Sequence, residues 1–265
     1  MNTKNFLYIS LFTALFATSC KKDDAPAYDS NVKADLSVEF DNVVGAADLA
    51  LNTGSYTNAA GESFTVTKLK YYVSNFVLTR TDGTVYTVPQ KDCYFLVDES
   101  DESTHEPILS VPEGEYATIS FLVGVDSLRS TMDISQRTGN LDPAGVAADM
   151  YWTWNSGYIF FKMEGTSPAS TMMGEYMYHI GGFGGMTSST INNIKKVTLD
   201  LTARGVPQVK SGKSTNIHLM VDVLKMFNGS SNVSIAANPM VMFDPYSTTI
   251  ANNYSAMFRH DHTEN

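Results

Sequence analysis

The chain has 265 residues, with 28 acidic against 18 basic side chains and a formal net charge of −10 at neutral pH. A domain this acidic does not bind nucleic acid through counterion release, and no basic stretch contradicts that exclusion. Only 17% of the residues are charged, so serine, threonine and asparagine must cover much of the surface, as in many exported β proteins.

The first nineteen residues have the pattern of a secretion signal. Lys4 supplies the positive region, residues 6–16 form an apolar core, and residues 17–20 read Ala-Thr-Ser-Cys. This arrangement resembles a bacterial lipobox and predicts cleavage before Cys20 with lipid attachment to its sulfur. The alternative is an ordinary secretory signal followed by an unmodified cysteine. The apolar run is too short to span a bilayer, so we expect an anchored protein rather than an embedded one.

A polar tether follows at residues 20–33, and its order Lys-Lys-Asp-Asp at residues 21–24 resembles the surface-export signal of Bacteroidetes lipoproteins. Any solvated linker can carry such charges, which leaves the periplasmic face of the outer membrane as the alternative. We favour an outer-membrane lipoprotein on the cell surface.

The remaining residues, 34–265, read as one β domain with no internal disulfide, because Cys93 is the only cysteine besides Cys20. Short helices are predicted at residues 127–134, 221–228 and 252–258. The pattern predicts a single antiparallel β-sandwich with short helices in its connections. Strands are predicted at residues 36–40, 69–80, 84–88, 94–97, 116–125, 158–163, 176–180, 194–201, 216–223 and 240–243, with a hairpin turn at Asp82-Gly83.

Both tryptophans lie where a loop becomes a strand. Trp152 and Trp154 are two residues apart, so in an extended chain their indoles point to one side. A loop rich in glycine and aspartate at residues 139–149 precedes them, which places the pair at the rim of the core, where binding residues are often found. Either the rings close one end of the sandwich, or they form a platform for a ligand.

Several segments, taken together and in order, resemble the MbnP-like family. They are YYVSNFVL at 71–78, GVDS at 124–127, NLDP at 140–143, MYWTWNSGYIFFKMEG at 150–165, YHIGG at 178–182 and NNYSAMFRHDH at 252–262. Its members are periplasmic or surface proteins related to a copper-binding protein encoded beside methanobactin genes. The resemblance implies a compact β domain and, in some members, a copper site of histidines and a tryptophan oxidised to kynurenine. It also implies a haem-containing oxidase as a partner.

Four of the five histidines are candidate metal ligands: His179, His218, His260 and His262. The last two flank Asp261, and in an extended chain both imidazoles face one side and can clip a metal. The alternative is a solvated C-terminal tail. By the resemblance, one of the two tryptophans would lie in the copper site or be converted to kynurenine.

His179 and His218 each share a predicted strand face with a methionine and a carboxylate, a combination that suits copper better than calcium or magnesium. The alternative is that both are ordinary strand histidines. His105, in an acidic loop, is expected to be solvated.

The remaining sequence features do not indicate a specific binding or catalytic site. The thirteen methionines offer thioethers for Cu(I), but methionine also fills gaps in aromatic cores. The glycine loop at residues 181–185 lacks the lysine and hydroxyl residue of a phosphate-binding loop. The acidic stretch at residues 98–102 lacks EF-hand spacing, and neither the Gly-x-Ser-x-Gly nor the His-Glu-x-x-His motif is present.

We therefore expect a lipid-anchored, non-catalytic envelope protein that binds or delivers copper through the four candidate histidines. The alternative is a surface module that binds a glycan, a peptide or a partner protein on an aromatic platform of Trp152, Trp154 and Tyr158. Imidazoles converging near an indole would favour copper, whereas scattered histidines and an exposed tryptophan face would favour the module.

Overall fold

The structure is a computed structural model that describes residues 28–155 and 157–265. The predicted signal peptide, Cys20 and the first part of the tether lie outside the described residues. Within the described ranges, no helix is both long and apolar enough to cross a bilayer.

β-Strands dominate the described chain, and its α-helices are short. The strands are β1 (Lys33–Val44), β2 (Ala47–Asp48), β3 (Tyr56–Thr57), β4 (Ser63–Arg80), β5 (Val85–Thr87), β6 (Tyr94–Asp98), β7 (Ile108–Pro112), β8 (Gly114–Val123), β9 (Tyr151–Trp152), β10 (Gly157–Thr166), β11 (Glu175–Gly181), β12 (Lys195–Asp200), β13 (Gln208–Val209), β14 (Thr215–Asp222), β15 (Met240–Val241) and β16 (Phe258–Glu264). The helices are α1 (Ser127–Ser130), α2 (Leu224–Phe227) and α3 (Ser247–Tyr254).

These strands form two sheets. In the smaller sheet the order is β16-β14-β1, and both β2 and β7 pair with the other edge of β1. The larger sheet runs β12-β8-β4-β10-β11-β15, with the short strands β3, β5, β6, β9 and β13 paired to its members. The all-β, sandwich-like fold predicted from the sequence is confirmed.

One hydrophobic core lies between the sheets, and aromatic rings connect them. Phe40 of β1 packs edge-on against Phe121 of β8, with ring centroids 5.7 Å apart, and against Tyr71 of β4 at 6.2 Å. Phe258 of β16 reaches the same Phe121 ring at 5.2 Å. Because β1 and β16 both contribute rings to this cluster, two strands of the smaller sheet are packed against the larger sheet through aromatic contacts.

Strand β14 shows the predicted alternation without interruption. Ile217, Leu219 and Val221 are fully buried against the core, while His218 and Met220 are only partly buried on the outer face. A regular strand places alternate side chains on opposite faces, so His218 points away from the core.

The predicted hairpin at Asp82-Gly83 is present. Arg80 donates its backbone N–H to the carbonyl of Thr84 at 2.8 Å, and Gly83 has a φ of +87°, which favours glycine.

The strand pairing is not antiparallel throughout, although the sequence predicted that it would be. Strand β1 lies parallel to β14, and β11 lies parallel to β15. Parallel pairs need long connections, and both pairs have one: residues 45–214 separate β1 from β14, and residues 182–239 separate β11 from β15.

The helix predictions are partly correct. Helix α1 starts where expected, with the Asp126 carboxylate accepting from the backbone N–H of Arg129 at 2.9 Å. The helix predicted at residues 252–258 is wrong in position, because α3 ends at Tyr254 and a strand begins at Phe258. Burying the Phe258 ring in the core and pairing β16 with β14 outweigh the weak helical preference of that segment.

Candidate metal centre

Strand β16 carries a β-bulge at Asp261. His262 pairs with His218 and His260 pairs with Leu219, so Asp261 has no partner residue on β14. A bulge interrupts the alternation of side chains along a strand. As a result, Asp261 and His262 share the outer face of the smaller sheet with His218, although they are neighbours in sequence.

These three residues form the bulge cluster, and each offers a ligand atom within 4.8 Å of the other two. The imidazoles of His218 and His262 are stacked, with centroids 4.6 Å apart and planes inclined by 26°. Oδ2 of Asp261 lies 3.1 Å from Nδ1 of His262 and 3.9 Å from Nδ1 of His218. Nδ1 of His218 is buried, and the described residues offer it no hydrogen-bond partner. An orphaned buried nitrogen beside a carboxylate fits a cation site.

Two arginines hold Asp261 in place. Nη1 of Arg259 donates to Oδ1 of Asp261 at 2.6 Å, and Nη1 of Arg204 donates to the Asp261 backbone carbonyl at 3.3 Å. Hydrogen bonds from His262 and then Arg259 lower the pKa of Asp261 to about 2. The carboxylate is therefore ionised at neutral pH, and Oδ2 stays directed at the imidazoles.

More carboxylates surround the distal imidazole nitrogens. Nε2 of His218 lies 3.6 Å from Oδ2 of Asp41 and 3.8 Å from Oε1 of Glu39, both on β1. Nε2 of His262 lies 3.6 Å from Oε1 of Glu264. Negative charge on several sides gives the bulge cluster a field that attracts cations.

His260 is not part of this cluster, and the expectation that His260 and His262 face one side is wrong. The expectation assumed a regular strand, whereas the bulge at Asp261 turns His260 to the inner face, where it is 7% exposed. Its Nε2 lies 3.0 Å from Oγ1 of Thr263, and burial lowers the pKa of the imidazole.

His179 is also elsewhere, on β11 of the larger sheet. Its Nε2 lies 2.8 Å from Oε1 of Glu164, and burial lowers its pKa. Beside it the ammonium of buried Lys162 donates to the Asp149 carboxylate at 2.5 Å and to the Asp149 backbone carbonyl at 2.9 Å. This network ties the loop before the tryptophans to the sheet and brings no second histidine to His179 among the described residues.

His105, expected to be solvated, is largely covered. Its side chain is 22% exposed, and its Nε2 lies 3.1 Å from the backbone carbonyl of Asp98. The histidine therefore helps to close the acidic loop. Its backbone carbonyl accepts from the N–H of Phe40 on β1 at 2.9 Å, so β1 lies between His105 and the bulge cluster on β14 and β16.

The two tryptophans have different environments. Trp152 is 5% exposed, whereas Trp154, in the turn after β9, is 64% exposed, and their ring centroids lie 5.4 Å apart. The alternative in which both rings belong to the core is correct for Trp152 and wrong for Trp154. Tyr158, the third residue of the expected platform, is fully buried and donates its hydroxyl to the Leu141 carbonyl at 2.6 Å.

A cavity of about 200 Å³ lies beside Trp152. Its wall includes no histidine among the described residues, so the tryptophan pair and the bulge cluster are separate places in the fold. The lining residues are Trp152, Asn155, Gly157, Gly182, Phe183, Gly185, Met186, Thr190 and Phe243.

Sequence reasoning found both histidines of the bulge cluster but did not include Asp261. The His-Asp-His spacing was the available signal, and regular alternation assigned its aspartate to the opposite face. The bulge could not be predicted from the sequence, because residues 258–264 contain no glycine, the residue that often indicates a bulge.

The model of the MbnP family matches residues 33–243. Among solved structures, MbnP from Methylosinus trichosporium aligns with a TM-score of 0.53 at 16% identity, covering 80% of this chain and 82% of that chain. No curated protein sequence matches the chain. The structural likeness shows a shared fold, and the family match includes His218 but ends before Asp261 and His262.

Proposed function

The chain belongs to the MbnP family, and on that premise we propose that it is a lipid-anchored, non-catalytic protein of the cell envelope that binds copper and passes it on. The copper relation of the family and the metal-type donors of the bulge cluster support the proposal. The copper ion is cargo here, and the residues of the chain bind, orient and release it.

The stacked pair His218 and His262, with Asp261 beside it, is the observation that carries the proposal. Two imidazole nitrogens and a carboxylate oxygen are donors that copper accepts. A cation bound by His218, Asp261 and His262 would also give the buried Nδ1 of His218 the partner it lacks among the described residues. The residues present therefore fit a copper ion.

The exposure of the cluster supports a binding role rather than catalysis. The His262 side chain is 46% exposed, so an ion held there is open to solvent and to a partner protein. Active sites usually exclude water around the reacting atoms. An ion on an open sheet face can be exchanged, which suits a carrier.

Membrane attachment is proposed from residues 1–20, where the lipobox-like sequence predicts acylation of Cys20. We place the domain on the outer membrane, with the cell surface favoured over the periplasmic face. The acidic balance of the chain is compatible with cation binding at either location.

Metal analysis of protein purified from its own host, followed by copper titration of variants, tests the function. We expect about one copper per chain for the native protein and a loss of more than about tenfold in affinity for His218→Ala combined with His262→Ala. His105→Ala is the matched control, since that imidazole lies outside the bulge cluster, and it should bind like the native protein. Equal affinity in all three proteins would contradict the assignment of the site, and a native protein that binds no copper would contradict the function.

The exposed ring of Trp154 favours a second candidate function, the binding of a glycan or peptide ring. The plane of the Trp154 ring is inclined by 43° to that of Trp152, and Trp152 lines the cavity. The face of a tryptophan ring is a good contact surface for the rings of sugars and aromatic side chains. Trp154→Ala should then abolish retention on immobilised glycans while leaving copper affinity unchanged. Retention that is the same for both proteins would contradict this function.

A further inference from the structure

The cavity beside Trp152 has the size of one substituted ring. Its volume is about 200 Å³. An apolar cavity of about 150 Å³ is large enough to bind benzene, so this cavity has room for a six-membered ring and a few further atoms. A drug-sized molecule needs a cavity of about 300 Å³ or more. The volume therefore selects small ligands.

The walls of this cavity are mainly aromatic. The rings of Trp152, Phe183 and Phe243 line it, and the planes of Trp152 and Phe243 are inclined by 72° with their centroids 6.2 Å apart. Met186 also lines the cavity, and because it is 69% exposed it lies on the solvent side. Aromatic rings contact one another edge-on or offset, and a thioether packs well against a ring edge. Such walls favour an aromatic ligand over an aliphatic one.

The polar groups of the cavity suit a ligand with few polar atoms. Among the described residues that line it, none is charged, and Asn155 and Thr190 carry the polar side chains besides the indole of Trp152. Nε1 of Trp152 is buried and has no hydrogen-bond partner among the described residues. An oxygen on the bound ring would accept from this N–H and remove the cost of leaving it unpaired. A sugar ring would instead bury several hydroxyls without partners.

Backbone hydrogen bonds hold the loop that forms one side of the cavity. Gly184 donates to the carbonyl of Ile191 at 3.0 Å, and Thr190 donates to the carbonyl of Gly184 at 3.0 Å. Asn193, at the end of the loop, donates its backbone N–H to the carbonyl of Gly182 at 2.8 Å. A wall that is fixed before binding loses little conformational entropy when the ligand arrives. The cavity is therefore preformed.

We propose that this cavity binds a small, neutral aromatic molecule, a single ring that carries a hydroxyl or carbonyl oxygen, such as a phenol. The ring packs against Trp152, Phe243 and Met186, and its oxygen accepts from the N–H of Trp152. The proposal goes beyond copper binding and does not depend on it, because no residue of the bulge cluster lines the cavity. It also differs from ring binding on the exposed face of Trp154, which is not part of the cavity wall.

The experiment titrates p-cresol into the ¹⁵N-labelled full-length protein carrying Cys20→Ser, because the detergent that an acylated protein needs would itself take up cresol. The two tryptophans give two indole N–H signals in NMR spectra, and Trp154→Phe identifies the signal of Trp152. We expect that signal to move downfield and to saturate with a Kd of about 1 mM or tighter. A Trp152 signal that stays in place as p-cresol reaches several millimolar would overturn the proposal.

Three variants locate the bound ring. Thr190→Phe adds a ring to the cavity wall and should abolish the shift of the Trp152 signal. Met186→Ala removes the thioether and should weaken binding about two- to tenfold, and its exposed position keeps the fold intact. Met173→Ala is the matched control, since Met173 is 99% exposed and lies outside the cavity wall, and it should bind p-cresol like the starting protein. Undiminished binding in both cavity variants would place the ligand elsewhere and overturn the assignment.

Two further probes test the class of ligand. Methyl glucoside also contains a six-membered ring and should leave the Trp152 signal in place; binding as tight as that of p-cresol would overturn the aromatic class in favour of a glycan. N-acetyltyrosinamide carries the ring of p-cresol on a peptide backbone. Tighter binding of this probe than of p-cresol would show that the cavity takes a side chain of a partner protein, against the proposal of a free molecule.

Copper titration separates this proposal from the proposed function. Thr190→Phe should bind copper with the affinity of the starting protein, because the cavity and the bulge cluster share no residue. A protein that binds p-cresol but no copper would leave the aromatic site standing and contradict copper binding alone. Loss of copper affinity in Thr190→Phe would contradict the separation of the two sites.

Discussion

His218 and His262 are paired directly across β14 and β16, and this register stacks their imidazoles with centroids 4.6 Å apart. The two residues are distant in sequence, so their imidazoles meet only when β16 pairs with β14. Asp261 completes the group because a bulge turns it to the same face.

The pH dependence of stability should report on Asp261. Its pKa is lowered to about 2 from the ordinary 3.8 by His262 and Arg259, so its stabilisation is complete above the ordinary value and is lost as pH falls towards 2. We expect the native protein to lose more stability between pH 5 and pH 2 than Asp261→Asn does. Chemical unfolding of both proteins across that range measures the difference, and parallel curves would contradict the role of the carboxylate.

Copper affinity should depend on the protonation of His262. The hydrogen bond to Asp261 raises the pKa of His262 above its ordinary 6.5, so protons compete with the metal at a higher pH than usual. Affinity should fall as pH decreases through that raised pKa. In Asp261→Asn the fall should move to lower pH, which titration at several pH values detects; a transition at the same pH in both proteins would show that the hydrogen bond is not responsible.

Truncating the two tryptophans should have unequal effects on stability. Trp152→Ala removes a buried ring and should cost about 3 to 5 kcal/mol, whereas Trp154→Ala removes an exposed ring and should cost less than about 1 kcal/mol. Denaturant unfolding of both variants measures the two costs. Similar losses for the two variants would mean that Trp154 is packed as deeply as Trp152.

Gly181→Ala should destabilise the larger sheet near the tryptophans. A Cβ at this position would lie 2.3 Å from the Tyr158 carbonyl oxygen and 2.8 Å from the Trp152 ring, so backbone and ring must shift. Crowding of this kind costs about 1 to 3 kcal/mol. Gly157→Ala is the matched control, because its nearest contact would be an ordinary 3.7 Å, and thermal unfolding should rank it well above Gly181→Ala.

Membrane attachment can be tested through the two cysteines. Cys20→Ser should release the protein from the membrane fraction without changing its unfolding temperature, because residue 20 comes before β1, the first described strand, in the sequence. Cys93→Ser, which changes the buried thiol, should stay with the membranes. A Cys20→Ser protein that remains bound after a carbonate wash would contradict the lipid anchor.

The sequence predicted those features that depend on regular local pattern. Alternation along residues 216–223 correctly placed His218 on one strand face with Met220, and the Asp82-Gly83 turn correctly indicated a hairpin. Both depend on neighbouring residues alone. The parallel pairing of β1 with β14 does not, since it joins opposite ends of the domain and leaves no local trace.

The errors at the candidate site have the same origin. A regular strand predicts that His260 and His262 face the same side and that Asp261 faces the other, whereas the bulge reverses this for His260 and Asp261. Trp154 was treated as equivalent to Trp152 because an extended chain aligns them, whereas a turn begins directly after Trp152. Bulges and turns are decided by tertiary pairing, which a single sequence does not display.

The central position of β14 in the smaller sheet also constrains the order of folding. Its neighbour β1 comes first in sequence among the described strands, and its other neighbour β16 comes last among them. Contacts between such distant segments form slowly, because a long loop must close before they contribute. The bulge cluster therefore comes together only when β16 has paired with β14, so a chain that ends before β16 cannot form this group of side chains.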